Sequence, residues 1–204
     1  MASELLLPLF PLEVVLLPGS RLPLHIFEPR YKLMIGEAIR DQSEFGIVLA
    51  KDNSLVNVGC TASVEEVARR YPDGRMDILA VGRRRFEILF LDEQKEYLRG
   101  AVHFFEDDPS AKPNAEALQD LAEQFRRLAG LLPAAEAIKP DPDQPSFSIA
   151  AVLPPDLELR QRLLSSRSEA ERVTLLGEHL EALLPRLEMT RRVERSARGN
   201  GQGR

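Results

Sequence analysis

The sequence predicts an α+β fold: a small, closed or nearly closed β-barrel with one inserted helix, followed by amphipathic helices. Three observations lead to this prediction. Short apolar runs separated by Pro- and Gly-containing turns fill the first half of the 204-residue chain. Within that half, residues 28–42 alone place their apolar side chains at helical spacing. After Pro109 the apolar residues recur with the helical period to about residue 189.

The opening run from Leu5 to Tyr31 combines strong apolar character with five prolines and one glycine. A single helix is excluded, because each internal proline removes a backbone donor and clashes with the preceding turn. A membrane span is not expected, since Glu13 and Arg21 interrupt the run. The run predicts short buried strands that turn at the prolines. It ends in a polar cluster of His25, Glu28, Arg30 and Tyr31.

The remainder of the first half continues with strand patterns. Phe45–Ala50 is a β-branched apolar run typical of a strand buried on both faces. Gly59 predicts a bulge or a close backbone contact. Tyr71–Gly74, with its Pro and Asp-Gly pair, predicts a hairpin turn. A half-buried strand is predicted by the alternation of Phe86, Ile88 and Phe90 with Glu87 and Leu89.

The spacing of apolar residues in the second half of the chain predicts helices. Asn114 is the expected N-cap of an amphipathic helix, and Ser168 with Glu171 forms a capping-box pattern before the last one. We therefore predict a β-rich domain over residues 1–109 and helices over 110–189. The basic tail over 190–204 has few apolar residues to bury and is expected to be disordered.

Composition narrows the class of protein. Hydrophobic residues make up 44% and charged residues 29%, as in ordinary globular proteins. The net charge is −5 and lies almost entirely before Pro109, so a nucleic-acid partner is not expected. No signal-peptide pattern follows Met1, which predicts a cytoplasmic protein. Cys60 is the single cysteine, and no Cys/His spacing predicts a metal site.

Several strings resemble the N-terminal domain of Lon proteases, also called the Lon substrate-binding domain. They are LPLFPLEVVLLPG, LPLHIFEPRYKLMI, FGIVL, VGCTASVEEV, DGRMDILAVGRRRFEI and SIAAVLPPDLELRQRLL, which together span roughly residues 5–187. The resemblance implies a PUA-like β-barrel (pseudobarrel) followed by a C-terminal α-helical bundle. It also implies a structural motif at Pro23, His25, Phe27, Glu28, Pro29, Arg30, Tyr31, Gly82 and Arg85.

The catalytic parts of a Lon protease have no counterpart in this sequence. No G-x-x-x-x-G-K-[ST] phosphate loop occurs, and no segment is left for a Ser-Lys proteolytic domain. We therefore expect a stand-alone substrate-binding domain that is not an enzyme, with no catalytic, cofactor-binding or metal-binding residues.

Two candidate reactive sites have structural alternatives. His25 with Glu28 and Arg30 resembles an acid–base cluster, but no nucleophile accompanies it. An ion pair at a strand-to-helix turn, with a satisfied, partly buried His25 ring, is favoured instead. Cys60 is expected to be a buried core thiol rather than a reactive one, since no cationic side chain flanks it closely.

Two arginine groups are candidate anion contacts. Arg83, Arg84 and Arg85 could contact phosphate or an acidic peptide, but a solvated turn with one arginine directed into the fold is favoured. The C-terminal group is expected to be a solvated, frayed end rather than a contact for nucleic acid or anionic lipid. It consists of Arg191, Arg192, Arg195 and Arg198.

The leading functional hypothesis is a non-catalytic module that captures unfolded or apolar polypeptide, by strand addition at an open sheet edge. Expected partners are unfolded or extended polypeptide clients, a separate Lon-type protease and further copies of the chain, with no membrane. A PUA-like RNA-binding protein is the alternative, and a small-molecule or enzymatic role in a cleft is the third reading. The sequence does not locate the peptide-binding surface.

Overall fold

The computed structural model describes residues 6–52 and 54–199, with side chains described as far as residue 193. The chain divides into two compact units. Unit 1 comprises Met1–Glu106 together with Pro155–Ser165. Unit 2 comprises Asp107–Pro154 together with Ser166–Arg204.

Six strands and six helices follow one another along the described residues. The strands are β1 (Leu7–Leu12), β2 (Arg21–Ile26), β3 (Phe45–Lys51), β4 (Ser54–Arg70), β5 (Met76–Asp92) and β6 (Arg99–Phe104). The helices are α1 (Pro29–Asp41), α2 (Ala115–Ala129), α3 (Pro133–Glu136), α4 (Pro145–Val152), α5 (Leu157–Ser165) and α6 (Glu169–Gly199). No helix within these described ranges combines the length and the apolar composition needed to cross a bilayer.

The strands form one mixed sheet in the order β2-β5-β4-β3-β1-β6, and β6 pairs in addition with β5. β1 and β3 are parallel, whereas the other pairs are antiparallel. Residues 76–81 of β5 pair with β2, and residues 86–92 pair with β6. β5 pairs with β2 and β4 over one part of its length and with β4 and β6 over another, so the mixed sheet curves. The pairings β5-β4-β3-β1-β6 lead back to β5, and β2 lies outside them. The expected α+β class is present.

The core of unit 1 lies around Phe86, which is fully buried and clusters with the buried side chains of Leu7, Leu9 and Val48. Gly59 on β4 faces this ring. A Cβ at Gly59 would lie 2.6 Å from both the carbonyl oxygen of Ile47 and Phe86 Cζ. The close contact predicted for Gly59 is therefore present, and it lets the aromatic ring pack directly against the β4 backbone.

The predicted helix and hairpin are confirmed. α1 begins at Pro29 and buries Tyr31, Met34, Ile35 and Ala38, the residues at helical spacing. The β4–β5 hairpin turns at the expected place, where Tyr71 N donates to the carbonyl of Arg75 at 2.9 Å. Gly74 adopts a φ of 84°, the left-handed conformation that glycine accepts without strain.

The alternation predicted for β5 is wrong at Phe90. Phe86 is fully buried, but Phe90 is 49% exposed. The register against β6 shifts between Ile88 and Phe90, so Leu89 is the extra residue of a β-bulge. A bulge changes which face the following side chains occupy. The period of two therefore holds only as far as Ile88.

The helices do not all follow the predicted division of the chain. α2 begins at the expected N-cap, where Asn114 Oδ1 accepts from Ala117 N at 2.8 Å. In unit 2, α6 packs against α2 and α4, whereas α5 belongs to unit 1 and packs against β4. α6 continues to Gly199, so residues 190–199 are helical and not the disordered tail that was predicted. Arg, Glu and Ala favour helix even without a buried face; residues 200–204 lie outside the described part.

Unit 2 contains a buried ionic cluster centred on Arg172, whose side chain is fully buried. Its guanidinium donates to Asp107 Oδ1 at 2.7 Å and to Glu169 Oε2 at 2.5 Å. The ring of Phe147 lies against it, with Cζ 4.3 Å from the ring centroid. Ser146 Oγ also donates to Glu169, at 2.7 Å. The cluster joins three chain segments that are distant in sequence.

The charge state of Arg172 follows from this geometry. Burial acts to lower its pKa, but the hydrogen bond with Asp107 and the charges of Glu169 and Asp107 outweigh burial, so the pKa is raised. The guanidinium therefore remains charged inside unit 2, where its pairing stabilises two carboxylates as well.

Candidate functional site

His25 lies near the end of β2, opposite Asp77 of β5. Its Nδ1 donates to Asp77 Oδ1 at 2.5 Å, and Tyr71 Oη donates to Asp77 Oδ2 at 2.8 Å. These two hydrogen bonds, that from His25 first, lower the pKa of Asp77. The bond to Asp77 in turn raises the pKa of Tyr71. His25 is thus hydrogen-bonded as expected, with 45% of its side chain exposed.

The surroundings of this His–Asp pair do not complete a catalytic site. The pair borders an open cavity of about 430 Å3 on the sheet. The rest of its lining offers no Ser, Thr, Cys or Lys nucleophile: Pro23, Leu24, Glu66, Ala68, Ile78 and Leu79. Phe27 stacks beside the imidazole, with ring centroids 5.9 Å apart, and is 57% exposed.

Glu28, Pro29, Arg30 and Tyr31 form the start of α1. The carbonyl of Glu28 accepts from Lys32 N at 2.9 Å, and Pro29 occupies the first turn, where no backbone donor is needed. Arg30 pairs with the carboxylate of Glu28 at 2.8 Å, the ion pair expected at this turn. Arg30 also covers the ring of Tyr31, which packs 4.1 Å from Phe10. Burial raises the pKa of Tyr31.

Gly82 and Arg85 lie inside unit 1. A Cβ at Gly82 would be 2.2 Å from the carbonyl oxygen of Leu17, so a side chain is excluded there. Arg85 is 4% exposed and directs Nη1 toward the carbonyl of Leu164, at 3.4 Å, with Phe105 against its Cζ at 4.7 Å.

Arg83 and Arg84, the neighbours of Arg85, lie at the surface. Arg83 donates to Ser63 Oγ at 2.8 Å, and Arg84 donates to Glu44 at 3.0 Å. The arginine run therefore divides into two surface side chains with partners and one buried side chain, as expected, but it lies within the strand β5 and not in the predicted turn.

A groove of about 670 Å3 lies between α1 and β6 in unit 1. Its apolar lining consists of Leu6, Leu7, Pro8, Met34, Ala38, Val102 and Phe104. Its charged side chains hold one another: Lys95 donates to Glu37 at 3.0 Å, and the hydroxyl of Tyr97 also donates to Glu37. These bonds, that from Tyr97 first, lower the pKa of Glu37. The groove is amphipathic, and its paired charges do not provide an unengaged acid or base.

Three consecutive large apolar side chains are exposed at the end of β5. Leu89 is 65%, Phe90 49% and Leu91 44% exposed, and we call these three residues the β5 apolar segment. Their exposure has a local cause. Phe90 lies opposite Ala101 and Leu91 opposite Gly100 on β6, and these residues are too small to cover them. Phe90 and Leu91 are neighbours on a strand and point to opposite faces of the sheet, so apolar side chains are exposed on both faces at this place, and exposed large apolar side chains are candidate binding residues.

The outer edge of the sheet is less suited to binding than the sequence suggests. β2 is the terminal strand, paired on one side only with β5. Pro23 lies in its middle and has no backbone N–H to offer an added strand. A proline on an edge strand is a common protection against strand addition. This edge is therefore a poor template for an extended peptide.

Other reactive groups are absent from the described residues or are buried. No group of three His, Cys, Asp or Glu side chains among them is arranged to hold a metal ion. Cys60 is fully buried, and burial raises its pKa to about 12, so the thiol stays protonated at neutral pH. Sequence patterns missed the β5 apolar segment, since its exposure depends on the pairing of Phe90 and Leu91 with Gly100 and Ala101.

Comparison with known proteins identifies similar chains. The model of the ATP-dependent protease La (LON) substrate-binding domain matches residues 6–182. Lon protease 1 of Hydrogenovibrio crunogenus is 25% identical over 198 residues, covering 89% of this chain and 24% of that protein. Lon protease of Parabacteroides distasonis is 32% identical over 118 residues, which are 54% of this chain and 14% of that protein. The chain thus spans a quarter or less of the length of these relatives.

Solved structures agree in fold. The crystal structure of a Lon N-terminal domain protein from Xanthomonas campestris has a TM-score of 0.67 and 27% identity, covering 84% of this chain and 96% of that one. The N-terminal domain of Mycobacterium avium complex Lon protease has a TM-score of 0.64 and 18% identity, covering 86% of this chain and 98% of that one. The second similarity shows the fold alone.

Proposed function

The chain belongs to the family of the Lon substrate-binding domain, and from this premise we propose that it is a non-catalytic module that captures unfolded or apolar segments of polypeptides. The matched family model covers the substrate-binding domain and no catalytic domain. A full-length Lon-type protease and a second copy of the chain are the other partners we propose. In this proposal the curved sheet is a PUA-like pseudobarrel and unit 2 is a helical bundle.

The observation that carries the proposal is the β5 apolar segment. Leu89, Phe90 and Leu91 follow one another on a strand and are each more than two-fifths exposed. A bulge at Leu89 precedes Phe90 and Leu91, which pair with Ala101 and Gly100 of β6. An unfolded client would cover these side chains with its own apolar residues, which removes apolar area from water on both partners.

The motif residues have partners within unit 1, which supports a structural role for the motif and leaves binding to another surface. His25 is held by Asp77, Arg30 by Glu28, and Gly82 lies against the backbone of Leu17. We propose that this motif fixes the start of α1 and the fold of unit 1, while binding takes place at the β5 apolar segment.

The test compares binding of a fluorescently labelled, reduced and carboxymethylated protein with binding of its native form. We expect the unfolded client alone to bind in an anisotropy titration. The double variant Phe90→Ser/Leu91→Ser should bind it more weakly. Burying the exposed half of these side chains contributes about 1.5–3 kcal/mol in total, which corresponds to about 10- to 100-fold in Kd.

A matched control exists in the same unit. Leu33 is 40% and Leu157 36% exposed, close to the exposures of Phe90 and Leu91, and neither belongs to the motif. The variant Leu33→Ser/Leu157→Ser should keep the affinity of the parent protein. Equal binding of native and unfolded clients would contradict the proposed function, and loss of binding only in the control would place the surface elsewhere.

A further inference from the structure

We propose that the β5 apolar segment selects polypeptide segments in which apolar residues are flanked by Lys or Arg. This inference rests on the proposed function and adds the charge of the preferred client. It follows from the hairpin loop that joins β5 to β6, residues 93–98, which begins two residues after Leu91.

This loop is adjacent in sequence to the β5 apolar segment and carries negative charges that have no positively charged partner among the described residues. It carries Glu93 and Glu96, both exposed. Within the described part of the chain neither carboxylate has a hydrogen-bond or ion-pair partner. The lysine of the same loop, Lys95, is engaged by Glu37 and by the hydroxyl of Tyr97.

The neighbouring charges do not cancel this field. Asp92, the last residue of β5, is paired with Arg99 at 2.6 Å, and both side chains are mostly buried. Arg99 therefore neutralises Asp92 and is not available to Glu93 or Glu96. In unit 1 as a whole, acidic residues outnumber basic ones.

Distance makes the effect local. Glu93 is two residues from Leu91, so their Cα atoms are at most about 7 Å apart, which is within the Debye length of about 8–10 Å at physiological salt. A cation next to the apolar residues of a bound client would therefore interact with Glu93, and a carboxylate at that place would be repelled.

Three peptides test the proposal with the full chain. They share one apolar core of Leu, Val and Phe and are flanked on both sides by two Lys, two Ser or two Glu residues. In anisotropy titrations at 50 mM salt, the Lys-flanked peptide should bind most tightly and the Glu-flanked peptide most weakly. The Kd should rise about three- to tenfold from the Lys-flanked to the Ser-flanked peptide, and again from the Ser-flanked to the Glu-flanked peptide. The differences should shrink to less than about twofold at 500 mM salt, where the Debye length falls to about 4 Å.

Two variants separate local from overall charge. Glu93→Gln/Glu96→Gln should remove the preference and leave the affinity for the Ser-flanked peptide unchanged within about twofold. Glu13→Gln/Glu66→Gln makes the same change in net charge at two other exposed carboxylates of unit 1 and should retain the preference.

The outcomes are distinguishable. If all three peptides bind equally, the charge preference is refuted and the proposed function stands. If the control variant loses the preference as fully as the loop variant, overall charge is the cause and the inference fails. If a peptide of Lys and Ser without the apolar core binds as tightly as the Lys-flanked peptide, the inference also fails. If none of the peptides and no unfolded protein binds, the proposed function itself is overturned.

Discussion

Replacing Arg172 by methionine should strongly destabilise unit 2. The guanidinium is fully buried, and its partners Asp107 and Glu169 are only 18% and 7% exposed in their side chains. The substitution would remove the cation that these two largely buried carboxylates share. Breaking a buried ion pair in this way costs about 3–5 kcal/mol, a large fraction of the roughly 5–15 kcal/mol that stabilises a domain.

Two optical signals separate the units in a urea titration. All three tyrosines, Tyr31, Tyr71 and Tyr97, belong to unit 1, so tyrosine fluorescence reports on that unit. Circular dichroism at 222 nm is dominated by α2, α4 and α6 of unit 2. With a slope of about 2 kcal/mol/M, Arg172→Met should lower the midpoint of the helical transition by about 2 M.

The control and the refuting result are specific. Arg186 is an exposed arginine on the same helix, and Arg186→Met should change stability by less than about 0.5 kcal/mol. In a double-mutant cycle, Arg172→Met combined with Asp107→Asn should lower the free energy of unfolding by less than the sum of the two single losses. The reason is that Asp107→Asn removes one of the buried carboxylate charges that Arg172 neutralises. A loss below about 1 kcal/mol for Arg172→Met, or simple additivity, would refute the reasoning.

Three further predictions concern unit 1. Gly82→Ala places a methyl group against a backbone oxygen and should lower the urea midpoint measured by tyrosine fluorescence. Gly36 lies on α1 with open space around it, so Gly36→Ala should stabilise unit 1 by about 0.5–1 kcal/mol. Equal effects of the two variants on the midpoint would contradict the packing described for Gly82. Cys60, with a pKa of about 12, should react with a thiol reagent only after urea unfolding, and rapid labelling of the native protein at pH 7.5 would exclude that burial. Tyr97→Phe removes the first cause of the lowered pKa of Glu37. The loss in free energy of unfolding caused by Tyr97→Phe should be constant above about pH 5 and should vanish as the pH falls through the pKa of folded Glu37. A loss that increases as the pH falls would contradict this role of Tyr97.

Elements defined by local sequence could be predicted. The first turn of α1 needs no backbone donor from Pro29, and its apolar residues recur at helical spacing, so neighbouring residues alone determine the helix. The Asp-Gly pair before Arg75 likewise determines a turn through the conformational freedom of Gly74. In both cases the physical cause lies within a few residues of the element.

Features that depend on pairing between distant segments could not be predicted. The exposure of Phe90 depends on a bulge at Leu89 and on Ala101 across the hairpin. The cluster at Arg172 requires Asp107, which lies 65 residues away in the chain. A sequence pattern contains neither the register between two strands nor the partner of a buried charge. The exposed β5 apolar segment and the buried Arg172 cluster were therefore found only in the folded chain.

The division of unit 1 into two stretches of chain affects how the protein folds during synthesis. α5 packs against β4, and the carbonyl of Leu164 receives the buried guanidinium of Arg85. Residues up to Glu106 therefore emerge from the ribosome without this partner. At about 5–20 residues per second, roughly 3–12 s pass before α5 is synthesised, with the first part of unit 2 made in between. During that interval the surface of β4 that α5 covers is open, and a nascent chain at this stage is the form most exposed to chaperones and to aggregation.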